Sequence, residues 1–396
     1  LTLNVPFNYG GRAELIDAVR AIARAGIPAD EITAETIEQH LYTAGQPDPD
    51  FGDGRQKKQP LFDLSQVSDI VALSDGGVII AGTAYSSHAH AFAARLNAQG
   101  ELDASFGEEG FVVVEGDYHS GAAVAADSQG RVLLLVGDSP DSILQRFLTD
   151  GTLDVSFGSQ GVIEISGEEP RKLSVLQDGK ILALAANYND ARIHRLNPDG
   201  SHDSAFANSG TLAVNFVAHD LAVDPNGSDL LLAGVRDQAS LLLKLDANGA
   251  PDPGFGTDGE LGVSADGEVV AVEWLENGEI FLIDANVGNY PSCYYRGLIR
   301  LAADGSPLAF DGSAAGVMGG EITLSLLHDG DDLYLAGSQN LSNETPAHGD
   351  QRMSVLGMTL DGTPLAAYGT DGLAQLTSSG APEVMWDMLM RFDGTV

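Results

Sequence analysis

Two small clusters of side chains could hold a metal ion. His88 and His90 form a His-x-His pair on a predicted strand, so both imidazoles point to one face of it. If Asp117 and His119 approach from the next strand, the four side chains would suit zinc or copper. Solvent-facing histidines are the simpler interpretation, because the sequence alone does not establish that strand pairing.

The second cluster is acidic and consists of Asp329, Asp331 and Asp332 at a predicted hairpin turn. Calcium prefers grouped carboxylate oxygens and would suit this turn, whereas ordinary solvated turn charge is the simpler interpretation. Calcium is therefore the one cofactor that the sequence leaves open, and no other cofactor is predicted.

An aspartate and a phenylalanine recur together along the chain, with the aspartate three residues after a turn glycine. The pairs are Asp48 with Phe51, Asp103 with Phe106, Asp154 with Phe157, Asp203 with Phe206, and Asp252 with Phe255. A carboxylate at this position can accept backbone N–H bonds and close the turn. A repeated calcium ligand is the alternative, but no copy has an EF-hand or GGxGxD loop. We therefore expect a structural cap, with the aromatic ring packed between repeats.

A basic residue opens the same phrase in five copies, namely Arg95, Arg146, Arg195, Lys244 and Arg300. In so acidic a chain we expect each to pair with a neighbouring carboxylate while its stem covers apolar surface. A ring of these cations around an anionic ligand is the alternative, which the overall charge opposes.

The segment NVGNYPSCYYRG carries the most promising contact surface, formed by Tyr290, Tyr294 and Tyr295. Tyrosines on loops contact sugars and peptides well, so we predict a binding patch here. Cys293 lies among them without a histidine partner nearby. The sequence contains no Gly-x-Ser-x-Gly, Walker or His-Glu-x-x-His motif, and no catalytic residue is predicted.

These residues sit within a repeat. The chain contains seven copies of one phrase, such as RLNAQGELDASFGEEG, and their aromatic anchors are Phe51, Phe106, Phe157, Phe206, Phe255, Phe310 and Tyr368. A second phrase, such as LSDGGVIIAG, alternates with the first. A period near 50 residues indicates a repeat architecture.

The sequence pattern of each repeat predicts four short strands. The Asp-Gly and Asn-Gly pairs between apolar runs indicate type I′ hairpin turns, in which both central residues have positive φ. Four antiparallel strands per repeat are typical of a β-propeller blade, so we expect an all-β propeller.

The blade count follows from the phase of the repeats. They begin halfway through a unit, at Phe51, and end halfway through another, at Gly394. We expect seven four-stranded blades, with the last blade shared by both termini, and six blades as the alternative. The strand-like Leu1–Phe7 segment would supply the second strand of that last blade.

Composition narrows the possible partners. The 396 residues include 20 Lys and Arg against 57 Asp and Glu, a formal net charge of −37. Such a field repels nucleic acid and anionic membranes. No apolar run approaches the roughly 18 residues of a membrane helix, and a single cysteine excludes an internal disulfide framework. We expect a monomer that acts outside the cell or at its surface.

The paired phrases resemble the delta-60 repeat, a bacterial propeller-type repeat of large secreted or surface proteins, over roughly residues 36–396. The resemblance implies a propeller and no single activity. Copies six and seven depart from the pattern, because Leu308 and Leu365 replace the aspartate.

The first 40 residues differ from the rest, which divides the chain into an α/β segment (1–40) and a propeller (41–396). A strand, a helix that ends at Gly26 and a second helix capped by Thr33 are predicted. Residues 1–50 resemble an internal fragment of a cis-prenyltransferase of the undecaprenyl diphosphate synthase type. The family's Asp-Gly-Asn loop and Arg-Thr-x-Gly-Glu segment are absent, which argues against transferase activity.

We therefore expect a non-catalytic binding or scaffold propeller of bacterial origin that recognises a protein or a glycan. One alternative is a glycan hydrolase or lyase with its site in the central channel, which would need inward carboxylates or histidines from several blades. Another is a fusion or fragment that carries an inactive prenyltransferase remnant.

Overall fold

All regular structure in the described part of the chain is β-strand. The computed structural model describes residues 2–4, 58–60, 65–85, 89–114, 119–138, 141–167, 169–227, 229–264, 268–287, 293–310, 321–329, 332–340, 351–366, 368, 370 and 372–376. The two predicted N-terminal helices lie outside these residues. No helix long and apolar enough to cross a membrane occurs among the described residues.

The strands form one two-stranded sheet and six larger antiparallel sheets, which we call blades 1 to 6. The small sheet pairs β1 (Thr2–Asn4) with β2 (Lys58–Pro60). Blade 1 contains β3 (Ser65–Ala72), β4 (Val78–Tyr85), β5 (Ala89–Leu96) and β6 (Phe111–Val114). Blade 2 contains β7 (His119–Ala126), β8 (Val132–Asp138), β9 (Asp141–Phe147) and β10 (Val162–Ile165). Blade 3 contains β11 (Glu169–Val175), β12 (Ile181–Ala186), β13 (Ala191–Leu196) and β14 (Thr211–Val214).

The later blades follow the same order. Blade 4 contains β15 (Val217–Val223), β16 (Leu230–Arg236), β17 (Ala239–Leu245) and β18 (Glu260–Ser264). Blade 5 has three described strands, β19 (Glu268–Trp274), β20 (Ile280–Val287) and β21 (Cys293–Leu301). Blade 6 contains β22 (Glu321–Asp329), β23 (Asp332–Asn340), β24 (Gln351–Thr359) and β25 (Leu373–Leu376). Each blade is a meander in which consecutive strands pair.

The predicted all-β architecture of repeated four-stranded units is therefore confirmed. The predicted type I′ geometry of the Asp-Gly hairpin turns is wrong. In the first hairpin of blade 1 only Gly76 has a positive φ, of 84°, and Asp75 does not. Gly76 N donates to Leu73 O, and Leu73 N donates to Gly77 O. This is a type I turn followed by a left-handed glycine, because the connection is longer than the two residues that type I′ requires.

The two glycine turns of each repeat lie at the same end of a blade, which we call the turn end. One turn joins the first two strands, and the other lies between the third strand and the Phe-Gly segment. Because strand direction alternates, the hairpins between second and third strands lie at the opposite end.

Neighbouring blades stack through apolar faces. The repeat phenylalanines of blades 1 to 4 are buried in clusters that include side chains of the following blade. Phe106 packs with Ala122 and Val124 of blade 2, and Phe157 with Leu173 of blade 3. Phe206 and Phe255 occupy the same place before blades 4 and 5. The core is thus divided into layers between blades.

The turn end adds a close backbone contact between blades. Gly107 N donates to Asp150 O of the next blade at 2.8 Å, and Gly158 N donates to Asp199 O at 2.9 Å. A Cβ at Gly151 would lie 2.3 Å from Gly107 N. The second turn glycine is therefore required for its positive φ and also for its contact with the preceding blade.

The strand predicted within Leu1–Phe7 is present as Thr2–Asn4, paired with Lys58–Pro60. Phe51, Gly394 and the rest of the segments that would build a seventh blade lie outside the described residues, which contain blades 1 to 6.

Alanine substitutions at the two turn glycines of blade 2 distinguish the cost of backbone strain from the cost of losing the contact between blades. Gly130 and Gly151 both have positive φ, but a Cβ at Gly130 meets only Thr149 Cγ2 at 3.5 Å. We expect Gly130→Ala to lower the free energy of unfolding by about 1 kcal/mol and Gly151→Ala by about 3 kcal/mol, measured by urea denaturation. Equal losses would show that the contact with Gly107 contributes nothing.

Candidate functional site

The repeat aspartate caps its own turn with one oxygen and binds the basic residue with the other. In blade 2, Asp154 Oδ1 accepts hydrogen bonds from Ser156 N at 3.1 Å and from Ser156 Oγ. Asp154 Oδ2 accepts from Arg146 Nε at 2.9 Å and lies 2.8 Å from its Nη2. Blade 3 repeats this geometry with Asp203 and Arg195.

The same guanidinium joins one blade to the next. Arg146 lies over the Phe157 ring, with its Cζ 4.3 Å from the centroid, and Nη1 donates to Pro198 O of blade 3. Arg195 repeats this with Phe206 and with Ala247 O of blade 4. In blade 1, Arg95 Nη1 donates to Thr149 O at 3.0 Å. We call this aspartate–arginine–carbonyl arrangement the clamp.

Later blades vary the clamp. Lys244 replaces arginine in blade 4 and pairs with Asp252 at 2.9 Å. In blade 5, Leu308 has no carboxylate, and Arg300 instead donates two hydrogen bonds to Glu279, at 2.9 and 2.8 Å. The cation therefore keeps an acidic partner even where the repeat aspartate is missing.

The clamp determines what these cations can do. Arg146 and Arg195 are 3% and 5% exposed, and carboxylate and carbonyl oxygens bind both guanidiniums. A buried guanidinium is stable only when it is paired in this way. These two arginines are consequently not aimed at an anionic ligand in a central mouth.

Sequence reasoning missed a second set of contacts between blades, made by the first strands. Asp69 Oδ2 accepts from Val124 N of blade 2 at 2.7 Å, and Asp220 Oδ2 accepts from Val272 N of blade 5 at 2.9 Å. A β-bulge directly precedes each of these two aspartates. No repeat signal could reveal them, because blades 2, 3 and 5 carry Ala122, Lys172 and Ala271 at the residue after the bulge.

Two histidine–glutamate contacts also join first strands of adjacent blades. His328 Nδ1 lies 2.7 Å from Glu273 Oε1. His219 Nε2 lies against Glu268 Oε1 without the geometry of a hydrogen bond. Both pairs connect blade 5 with a neighbour, and each glutamate is therefore next to a group that can neutralise it.

A cleft opens at the turn end, where blades 3, 4 and 5 meet. Its volume is about 770 Å³. Charges of both signs line it, from Lys172, Lys180, Asp178, Asp224 and Glu273, together with the ring of Trp274. The wall combines first strands and hairpin turns of three blades, so no single repeat could indicate it.

A polar cluster occupies the interior of blade 3. His194 is 3% exposed, and its Nδ1 faces His202 Nε2 at 3.4 Å and Thr211 Oγ1 at 3.2 Å. Its Nε2 contacts Ser166. Burial lowers the pKa of His194 to about 4, so the ring is neutral at pH 7.

The predicted metal ligands are only partly described. His90 lies on β5 and Asp332 at the start of β23, while His88, Asp117 and Asp331 lie outside the described residues. His119 begins β7, and Asp329 ends β22. Among the described residues, no three His, Cys, Asp or Glu side chains form a group that could hold a metal ion.

The tyrosine patch is also described in part. Tyr290 lies outside the described residues, whereas Tyr294 and Tyr295 lie on β21 and pair with Asn286 and Ala285. These two residues are near the end of blade 5 opposite the cleft, so the predicted patch and the cleft are separate surfaces.

Comparison with known families confirms both resemblances. Residues 73–106, 131–157 and 176–206 match the family described as "Domain of unknown function (DUF5122) beta-propeller". Residues 1–51 match the family described as "Putative undecaprenyl diphosphate synthase". The chain therefore contains β-propeller repeats of the delta-60 type and a short prenyltransferase fragment.

The fragment is small compared with its relatives. Isoprenyl transferase 1 of Corynebacterium diphtheriae is 50% identical over 57 residues, which are 12% of this chain and 22% of that protein. The isoprenyl transferase of Thermus thermophilus is 49% identical over 57 residues, with the same shares. The chain thus spans about a fifth of the length of the curated relatives it matches.

A solved structure shares the fold of most of the chain. The crystal structure of a protein from Lactobacillus plantarum is 13% identical and covers 81% of this chain and 91% of its own, with a TM-score of 0.53. At this identity the likeness concerns the fold alone.

The clamp predicts a loss of stability in acid. The hydrogen bonds from Ser156, with those from Arg146, lower the pKa of Asp154 below its usual value. The resulting stability is present above the ordinary aspartate pKa of about 3.9 and is lost as the pH falls through the lower folded value. We expect Asp154→Asn to cost about 3 kcal/mol at pH 7, because Arg146 loses its buried counter-charge.

Urea denaturation between pH 7 and pH 3 measures this effect. The difference between wild type and Asp154→Asn should begin to shrink below pH 4, where the Asp154 carboxyl of the unfolded chain takes up a proton while that of the folded chain, with its lowered pKa, is still ionised. Asp150→Asn is the control, since Asp150 is an exposed turn cap in the same blade. A difference that stays constant over this pH range would contradict the role assigned to the Asp154 charge.

Proposed function

We propose that this chain is a non-catalytic binding or scaffold β-propeller that recognises a protein or glycan partner outside the cell or at its surface. The observation that carries the proposal is the cleft at the turn end of blades 3 to 5, about 770 Å³ in volume. Ligand sites are concave, and this cleft is a concave surface lined mainly by polar and charged side chains from three blades.

The clamps hold the scaffold around the cleft together, whereas several side chains that line the cleft differ from one repeat to the next. Clamps hold the turn ends of blades 2 to 4 through Arg146 and Arg195. The cleft is lined instead by side chains that differ between repeats, such as Lys172 and Trp274. Variable side chains on a fixed frame are typical of recognition surfaces.

Charges in the cleft favour a polar partner. Lys172 and Asp178 are each about half exposed, with side-chain exposures of 45% and 56%. Trp274 borders the cleft but is 6% exposed, and Lys244 Nζ lies 5.4 Å from its ring centroid. A glycan or an extended peptide can use hydrogen bonds, mixed charge and an aromatic surface together.

The second candidate is a glycan hydrolase or lyase that uses the first strands of the blades, and the two His–Glu pairs favour it. Glu273 with His328 and Glu268 with His219 place acids and bases on the first strands of adjacent blades. We rank it second because each pair is already engaged between blades. Residues 1–51 match the prenyltransferase family, and this match supports only the proposal of an inactive remnant there.

We infer further that the ring closes with a seventh blade and that the chain acts as a monomer. Lys58–Pro60 lies seven to nine residues after Phe51, and in blade 1 the fourth strand lies five to eight residues after Phe106. Thr2–Asn4 pairs with Lys58–Pro60 as a third strand would.

A bulky side chain at the mouth of the cleft tests the binding proposal. Gln177 is exposed, lines the cleft and occupies the second position of its hairpin turn. We expect Gln177→Trp to weaken binding at least tenfold on a glycan array and a peptide library, because the ring fills the mouth. Ser128→Trp is the matched control, at the same turn position in blade 2. Equal binding by both variants, or no saturable ligand among the probes, would reject the cleft as the binding site.

A further inference from the structure

The polar cluster of blade 3 occupies positions that carry mostly apolar side chains in the other blades. His194 lies directly before the clamp cation, His202 lies seven residues after that cation, and Thr211 begins the fourth strand. The corresponding residues are Ala94, Leu102 and Phe111 in blade 1, Gln145, Leu153 and Val162 in blade 2, and Leu243, Pro251 and Glu260 in blade 4. Blade 3 alone among these four has potential ligand atoms at all three positions.

Strand pairing brings the three side chains together. His194 and Thr211 are opposite each other in the β13–β14 pair. An antiparallel β-bridge between Leu196 and His202 brings His202 close to both of them. Because the backbone of all four blades is the same here, the cluster results from the side chains and not from a local change of fold.

The distances within the cluster suit a tetrahedral metal ion. Zinc–nitrogen bonds of about 2.0–2.1 Å place two ligands of one tetrahedral ion about 3.3 Å apart. His194 Nδ1 and His202 Nε2 are 3.4 Å apart, and Thr211 Oγ1 is 3.2 Å from His194 Nδ1. A nitrogen–nitrogen distance of 3.4 Å is also longer than an ordinary hydrogen bond.

The surroundings orient the central imidazole as a ligand. His194 Nε2 contacts both Ser166 Oγ at 3.1 Å and Ser166 O at 3.4 Å. Protonation at Nε2, which lets the ring donate to the Ser166 carbonyl oxygen, leaves the Nδ1 lone pair facing His202 and Thr211. Metal-binding histidines are held in this way by a hydrogen bond at the other nitrogen.

Access and the net charge of the whole chain also favour a cation. His202 is exposed, so the site opens to solvent and a water molecule can complete the coordination. The net charge of −37 supplies a long-range attraction for cations.

We propose that His194 Nδ1, His202 Nε2 and Thr211 Oγ1 bind one divalent transition metal ion of the zinc class. Imidazole nitrogens select zinc, copper and nickel over calcium and magnesium, which prefer sets of oxygen ligands. The bound ion links β13, β14 and the loop between them.

Isothermal titration of the whole chain with Zn²⁺ tests the proposal, with Ca²⁺ as the comparison ion. Each variant introduces a residue that another blade already accommodates at the equivalent position, so the fold should be kept. His202→Leu introduces the residue of blades 1 and 2, and His194→Gln introduces that of blade 2. We expect one Zn²⁺ site in the wild type, at least tenfold weaker in either variant, and no Ca²⁺ binding there. Zn²⁺ should also raise the melting temperature of the wild type but not of the variants.

His219→Gln is the control, because it removes a histidine of blade 4 that is not in the cluster. It should bind Zn²⁺ as the wild type does. The absorption spectrum of bound Co²⁺ gives a second readout, with intense visible bands for a tetrahedral ion. No saturable Zn²⁺ binding, or binding that survives both His202→Leu and His194→Gln, would overturn the proposal. Loss in His90→Ala alone would assign the ion to the His-x-His strand instead and would equally overturn it.

Discussion

A buried arginine needs a counter-charge, and in this protein that requirement extends from one blade to the next. Arg146 and Arg195 are taken out of water between sheets, which would cost several kcal/mol without compensation. An aspartate of the same blade supplies the charge, and a carbonyl of the following blade supplies a further acceptor. A blade by itself could not satisfy its own cation, so the fold depends on the stacking of neighbours, as in other repeat proteins.

The clamp also explains why glycine and phenylalanine accompany the charged pair. The ring of Phe157 forms the apolar floor below Arg146, and its neighbour Gly158 donates to the turn of the next blade. The turn glycine of that blade, Gly200, must then come close to Gly158 N, and a Cβ there would lie at 2.9 Å. Charge, aromatic ring and glycine therefore form one contact, repeated at the turn end.

Because this contact is constant, the functional candidates lie where the repeats differ. The cleft at blades 3 to 5 includes Lys172 and Trp274, which differ from their counterparts in the other blades, and the His194–His202 cluster occupies positions that are mostly apolar elsewhere. The first 51 residues are a different case, since they match the prenyltransferase family, and the chain spans about a fifth of the length of its curated relatives.

The sequence by itself determined the repeat, the strand order within a unit and the spacing of Asp154, Phe157 and Arg146, because a glycine and an aspartate at fixed intervals allow few local structures. It also indicated the prenyltransferase fragment. It misjudged the hairpin turns, since an Asp-Gly pair fits two turn types and the connection length decides between them. Only the tertiary structure placed Asp69 against Val124 N, joined His328 to Glu273, and brought His202 to His194. Those contacts join blades or strands distant in sequence, and their geometry depends on bulges and stacking that no local pattern encodes.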